Sequence, residues 1–471
     1  MYAITKKIRF LILALFMTTS VAFAQGEVLD VFFWGQDFGV GTRAMGMGGA
    51  FIGVADDYSA TYWNPAGLGQ LRRMEMNVGF SHNMIGNETS FLGNTRESDD
   101  SFSRLNSLGI VMPIPTYQGS LVFGFGYNKV NDFENVFGIK GYNENWAAFP
   151  DFFDMDQFHV ENDILTDIVD NLYQVEDIVE EGSLNHYSFS GSVEMQKDFF
   201  LGAAVNFVRG TNKYSQHFEE SDINNVHSEP PYVDENGYEI WSDLDYWVYD
   251  QTINTEIKAT NVKIGALYRM GRMLRLGATI GLPTTYTMTE EWSDEWSIIY
   301  DTGEVEETPP APAKTEYKIK EPYSFGFGAS LKLLNFLFSG DVEFKDWTQA
   351  EYLTDPPIID YTKTEANYFV QNDLKAVTKY RLGAEMYIPL IRAKVRAGYF
   401  NQPSPYENAQ VQPNRHFLTA GASLMLDKQV MVDLGYIRGE WEQESIDFLT
   451  NSPVLENRSF DKYVGTLSIR F

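Results

Sequence analysis

The side chains able to do chemistry in this chain are charged groups set at alternate positions of strand-like segments. With period two, Glu194, Lys263, Arg269, Arg275, Asp341, Glu343, Lys345, Lys379, Arg381, Glu385, Lys394, Arg396, Asp433 and Arg470 all turn to the polar face. Both signs interleave, the pattern of a paired ionic network more than of a bare cationic cluster. Within that set Arg381 and Arg396 are the candidates for gripping a ligand carboxylate, because a guanidinium offers two parallel donors. Catalysis is not expected. Cys is absent, and His82, His159, His186, His217, His227 and His416 form neither an HExxH run nor a Ser/His pairing. The acidic pairs Asp99-Asp100, Glu180-Glu181 and Glu219-Glu220 match no calcium loop, so no metal or cofactor is expected either.

Composition narrows the class of protein that could carry these groups. The 471 residues hold 36 Lys+Arg against 65 Asp+Glu, a net charge of -29, which excludes a phosphate backbone as the natural partner. Mean hydropathy is -0.27, too polar for a bundle of membrane helices, while 15% aromatics and 38 Gly point to many strands. Residues 1–24 read as a signal peptide, with Lys6, Lys7 and Arg9, an apolar stretch from Phe10 to Phe16, and Ala22-Phe23-Ala24 for cleavage. That stretch is too short to span about 30 Å of hydrocarbon. An exported chain without spanning helices can enter a membrane only as a closed barrel.

The strands that would position the charges follow from alternation. Tyr463, Leu467, Ile469 and Phe471 share one face, and Thr466, Ser468 and Arg470 the other. Strands are expected near 73–82, 104–113, 119–129, 184–196, 201–212, 252–270, 273–288, 316–334, 336–347, 374–389, 393–402, 415–426, 429–438 and 459–471. Six short turns alternate with long loops near 83–103, 130–183, 213–251, 289–315, 348–373, 403–414 and 439–458. The expectation is an all-β fold, a 14-stranded antiparallel transmembrane β-barrel with both termini periplasmic. Phe471 closes the lipid-facing set and is the expected assembly signal. In the longest loop, Ile164, Leu165, Ile168, Val169, Leu172, Val175, Ile178 and Val179 recur at helical spacing, with Phe149, Phe152, Phe153 and Phe158 upstream.

A lumen of fourteen strands is too wide for wall side chains alone to fill. Residues 25–72 precede the first strand and are rich in small residues that permit close packing, so they are expected to plug it. Asp56 or Asp57 can cap a short helix over Tyr58–Trp63, which Asn64-Pro65 would end.

Here the run Arg43-Ala44-Met45-Gly46-Met47-Gly48-Gly49-Ala50-Phe51, continuing through Ala55-Asp56-Asp57 to Trp63-Asn64-Pro65-Ala66-Gly67, resembles the N-terminal hatch of FadL-type long-chain fatty acid transporters. The wider family includes channels for toluene and other hydrocarbons. The resemblance implies a signal peptide (1–24), an N-terminal hatch (25–72) inside the lumen and a barrel (73–471) whose longest loops are 130–183 and 213–251. Asn64, Pro65 and Ala66 are the hatch residues it carries over. It also implies a bacterial outer-membrane location among lipid and lipopolysaccharide, insertion by the barrel assembly machinery, and no enzyme activity. The implied function is passive uptake of hydrophobic small molecules such as long-chain fatty acids, gated by the hatch. Some relatives of this fold instead attach or shuttle secreted protein cargo, as in type IX secretion, which is the alternative.

Overall fold

The computed structural model describes residues 38–144, 172–225, 244–357, 361–408, 412–447, 449–450 and 452–471. The expected signal peptide, residues 25–37 of the expected hatch and the run from Phe149 to Phe158 lie outside the described residues. Alternating segments pair into fourteen antiparallel barrel strands. These are β1 (Glu75–Phe91), β2 (Asn94–Ile114), β3 (Leu121–Asp132, resumed at Asn135–Asn143), β4 (Leu172–Gln196), β5 (Phe199–Ser221) and β6 (Leu244–Met270). Next come β7 (Leu274–Gly281 and Thr284–Tyr300), β8 (Val305–Thr308, Ala313–Glu321 and Ser324–Leu333) and β9 (Phe336–Asp346 and Glu351–Tyr352). The last five are β10 (Ala376–Ile388), β11 (Ala393–Gln402), β12 (Arg415–Met425), β13 (Val430–Asp447) and β14 (Ser452–Arg470). The sheet closes on itself because Glu75 pairs with Val111 of β2 and with Arg470 of β14. Every expected strand is present, and the six short turns fall on the side where the barrel strands begin and end.

On the opposite, distal side the strands run farther than alternation indicated. The stretches 83–103, 289–315 and 439–458 are mostly strand extensions in their described residues rather than loops. Leu92 and Gly93, with φ of 45° and 78°, make a two-residue turn in the first of them. The 130–183 and 213–251 connections are likewise partly strand, since β3 reaches Asn143, β4 starts at Leu172, β5 reaches Ser221 and β6 starts at Leu244. The helix expected over 164–179 is corrected in its described part, because Leu172 to Val179 belong to β4. Val175 and Val179 point outward there while Gln174 and Glu176 are buried inward, so apolar residues from both faces mimic a helical stripe.

The outer face carries a continuous apolar belt. Phe80, Phe189, Tyr268, Phe327, Phe338, Leu382, Leu418, Leu434 and Tyr463 are all exposed, each on a different one of nine strands. So much exposed hydrocarbon and aromatic surface is unstable in water and suits a lipid bilayer, whereas many of the inward positions are Gly, Ser, Thr, Asn or charged. The molecule is a transmembrane β-barrel. On β5 the belt ends at Phe207 while the strand continues to Ser221, so the extensions stand clear of the hydrocarbon.

Candidate functional site

The segment from Phe38 to Leu71 lies against the inner wall and is almost wholly buried. It folds as α1 (Thr42–Met45), α2 (Ala60–Trp63) and a 3-10 turn over Pro65–Gln70. Asp57 Oδ1 accepts from the backbone N–H of Ser59 at 2.9 Å, organising the start of α2. Asn64 ends it with an extended backbone and accepts from the Ala66 N–H at 3.1 Å, while Pro65 opens the following turn. The wall meets this segment mostly with backbone or small side chains. An added Cβ at Gly277 would overlap the carbonyl of Ile52, one at Gly398 would overlap the Gly48 amide, and one at Gly202 would strike Pro65 and Ala66. These wall positions are glycine because peptide planes of the segment lie flush against them.

Hydrogen bonds seat the segment all round the barrel. Thr42 meets Thr466 at 2.6 Å, the Gly48 N–H donates to Thr419 Oγ1 at 3.0 Å, and Ser330 donates to the Gly53 carbonyl at 3.0 Å. Asp341 accepts the N–H groups of Phe51 and Ile52 at 2.6 and 2.7 Å. Asn64 is fully buried, and its amide donates at 3.0 Å to the carbonyls of both Ile52 and Ala266. Ser192 donates to the Ala66 carbonyl at 2.8 Å, and the Pro65-Ala66 peptide rests on Gly202. Asn64, Pro65 and Ala66 thus sit at one contact with β4–β6.

The inward charges pair. Arg43 bonds Glu385 at 2.8 Å and also reaches Asp56, which Arg275 holds at 2.9 Å. Arg396, with a fully buried side chain, contacts Glu385 at 2.8 Å and Asp433 at 2.9 Å. Arg381 contacts Glu343 at 3.1 Å, with its guanidinium 5.3 Å from the Trp63 ring centre. The structure brings Arg381 and Arg396 to the same wall sector as Arg43, each occupied by wall carboxylates. A cavity of about 10 Å³ beside Phe38, Gly49, Arg381 and Phe400 has room for one water and none for an alkyl chain.

Above the segment lies a layer that sequence reading missed. Two inner rows follow from the strand register: Leu184, Gly210, Ile257, Met288 and Tyr317, then Val208, Ala259, Tyr286, Ile319 and Tyr352. They pack into one buried apolar cluster with Val40 and Tyr62 of the segment below. From the distal side α3 (Lys363–Asp373) closes over it with Ala366 and Val370. Asn367 pins α3 by bonding the Tyr352 N–H and carbonyl at 2.7 and 3.0 Å. A readable signal was there in Thr362-Lys363-Thr364-Glu365, a reciprocal capping box. A second aromatic cluster stands opposite, where Phe38 stacks on Phe460 with centroids 4.7 Å apart and meets Phe417 edge-on at 5.1 Å. Phe471 is far from all this. Its side chain is exposed on the lipid face and its N–H donates to the Met74 carbonyl at 3.0 Å.

These features define a class: a closed fourteen-stranded transmembrane barrel whose lumen is occupied by its own N-terminal segment. Solved structures share the barrel fold. The toluene transporter TodX of P. putida superposes with a TM-score of 0.58 at 13% identity, covering 93% of this chain and 99% of that one. A FadL homologue of Pseudomonas aeruginosa gives 0.59 at 13% identity, covering 92% and 98%, and the Ralstonia pickettii toluene transporter TbuX gives 0.51 at 14%, covering 93% and 99%. No family model matches the sequence, and no curated protein matches it. The chain has the FadL-type fold, as its Arg43–Gly67 run implied.

Proposed function

We propose that the protein mediates passive uptake of hydrophobic small molecules, such as long-chain fatty acids or hydrocarbons, across the bacterial outer membrane, with the N-terminal segment as its hatch. The observation that carries this reading is the apolar luminal layer, since the interior of a water-filled barrel is polar. Ile257, Met288, Tyr317 and Ile319 offer a greasy surface between α3 and the hatch, where an alkyl chain would replace side-chain contacts as α3 lifts. The ionic network, Arg381 and Arg396 included, is assigned to holding the hatch. The solved transporters of this fold carry toluene in two of the three cases named, which supports an apolar ligand.

The test is titration with alkyl chains of increasing length, followed by Trp emission, since Trp63 and Trp347 flank the layer. Each buried methylene is expected to add about 0.8 kcal/mol until the layer is full. Ile257→Ser/Met288→Ser is expected to flatten that dependence. Affinity independent of chain length, together with stable co-purification of a secreted protein, would transfer the function to cargo attachment.

A further inference from the structure

We propose that a basic row on the outer surface of β5–β8 binds the phosphate groups of a bisphosphorylated glycolipid in the outer leaflet. The inference rests on the membrane-spanning reading of the barrel. The register builds the row: Arg209 lies opposite Lys258, Lys258 opposite Thr287, and Thr287 opposite Lys318. Arg209 and Lys258 are exposed, and Lys318 is about half so. The row stands directly beyond the belt, because Phe207, two residues before Arg209 on the same face of β5, turns its ring to lipid. Lys320, on the same outward face and opposite Thr285, extends it toward the membrane.

The next row outward bears the opposite charge: Thr211, Glu256, Thr289 and Glu316. Glu256 holds Lys258 at 2.6 Å and Glu316 stands 3.7 Å from Lys318. Each ammonium has three N–H donors; Lys258 spends one on Glu256 and Lys318 only stands near Glu316, so donors remain for a phosphate arriving from the membrane side. With strands about 4.8 Å apart, Arg209 and Lys318 are about 14 Å apart, enough for two phosphates on one disaccharide headgroup. The other side of the barrel differs. There the outward positions beyond the belt include Glu88, Glu97, Glu440 and Asp461, and Arg438 is committed to Glu440 and to Asp461 at 3.1 Å. In a chain of net charge -29, a cationic row confined to one sector at the lipid boundary is charge-complementary to an anionic lipid head.

The experiment reconstitutes the full chain in phosphatidylcholine nanodiscs doped with bisphosphorylated lipid A and counts retained glycolipid by native mass spectrometry. Wild type is expected to retain it, and R209Q/K258Q/K318Q to lose about fivefold in affinity per cation removed. K258R/K318R is expected to bind as wild type does, and R438Q, in the acidic sector, to change nothing. Should the triple variant fold poorly by heat-modifiable mobility, R209Q alone serves, with the same single-cation loss expected. Equal retention by wild type and the folded variant, or equal retention of dephosphorylated lipid A, overturns the proposal. Failure of wild type to insert into the discs would instead defeat the membrane-spanning reading beneath it.

Discussion

Asn64 donates its side-chain amide to the carbonyl of Ala266 at 3.0 Å, tying the hatch to β6 across 202 positions of sequence. The same amide holds the Ile52 carbonyl, so one buried side chain joins two turns of the hatch to the wall. Asn64→Ala strands those carbonyls at about 1–3 kcal/mol each, a local loss that leaves the strand ladder intact. Single-channel recordings of Asn64→Ala/Pro65→Ala are expected to show larger or more frequent openings in a barrel that still shifts on heating. Unchanged conductance and unchanged solute uptake would remove the anchoring role.

Filling the wall glycines is expected to act from the opposite side of the same contact. Gly277→Val or Gly398→Val places side-chain carbons where the hatch backbone lies. Protease sensitivity of residues 38–72 is expected to rise sharply in both. Gly340→Ala is the control, because its Cβ would look out to lipid with its nearest neighbour, Leu382, at 3.4 Å. A Gly340→Ala phenotype equal to the other two would count against a specific seat.

Glu290 lies on the distal segment of β7, beyond the belt, and accepts from the Tyr317 hydroxyl at 2.6 Å at the rim of the apolar layer. Burial raises its carboxyl from an ordinary value of 4.5 to about 7. A raised folded-state value means the protonated form is favoured by folding, so this contribution is complete below about 4.5 and is lost as pH rises through about 7. Hydrogen exchange of the distal β7–β8 hairpin is expected to quicken over that window in wild type and to flatten in Glu290→Gln. A pH slope that survives Glu290→Gln would assign the effect to another group.

Phe471 ends the outward set Tyr463, Leu467 and Ile469 with its ring in the lipid face. Deleting it is expected to lower outer-membrane insertion several-fold while leaving export across the inner membrane intact. Fractionation with heat-modifiable electrophoresis reads both steps, and wild-type levels of folded barrel would discard the assembly role.

Much of the barrel was legible because a membrane wall enforces strict period two, and a lipid-facing Phe327 next to an inward Gly328 leaves little ambiguity. Beyond the belt water replaces lipid, the outward apolar requirement lapses, and residues such as Thr289, Glu291 and Lys314 read as loop although they are strand. The anchoring contact was legible only as a motif, Asn64-Pro65-Ala66, with no hint of its partner on β6. The wall part of the apolar layer was not legible, unlike the capping box that opens α3 above it. Ile257, Met288 and Tyr317 become neighbours only through register, and each looks like an ordinary inward residue in its own strand. The wall glycines did leave a trace in the alternation of Gly326, Gly328 and Ser330, but what they accommodate is another segment's backbone.

Contact between peptide planes with no intervening side chains has a mechanical corollary. Rotamers can absorb small displacements by turning, but main chain lying on a glycine has nothing that can turn. Separating such surfaces by 0.5–1 Å already forfeits about a quarter to a half of the dispersion energy, and the short bonds from Thr419, Ser330 and Asp341 stretch over the same distance. Resistance is therefore steep and short-ranged. Residues 38–71 sit in their socket as a snap fastener does, stiff against small displacements and quick to lose grip once the surfaces part.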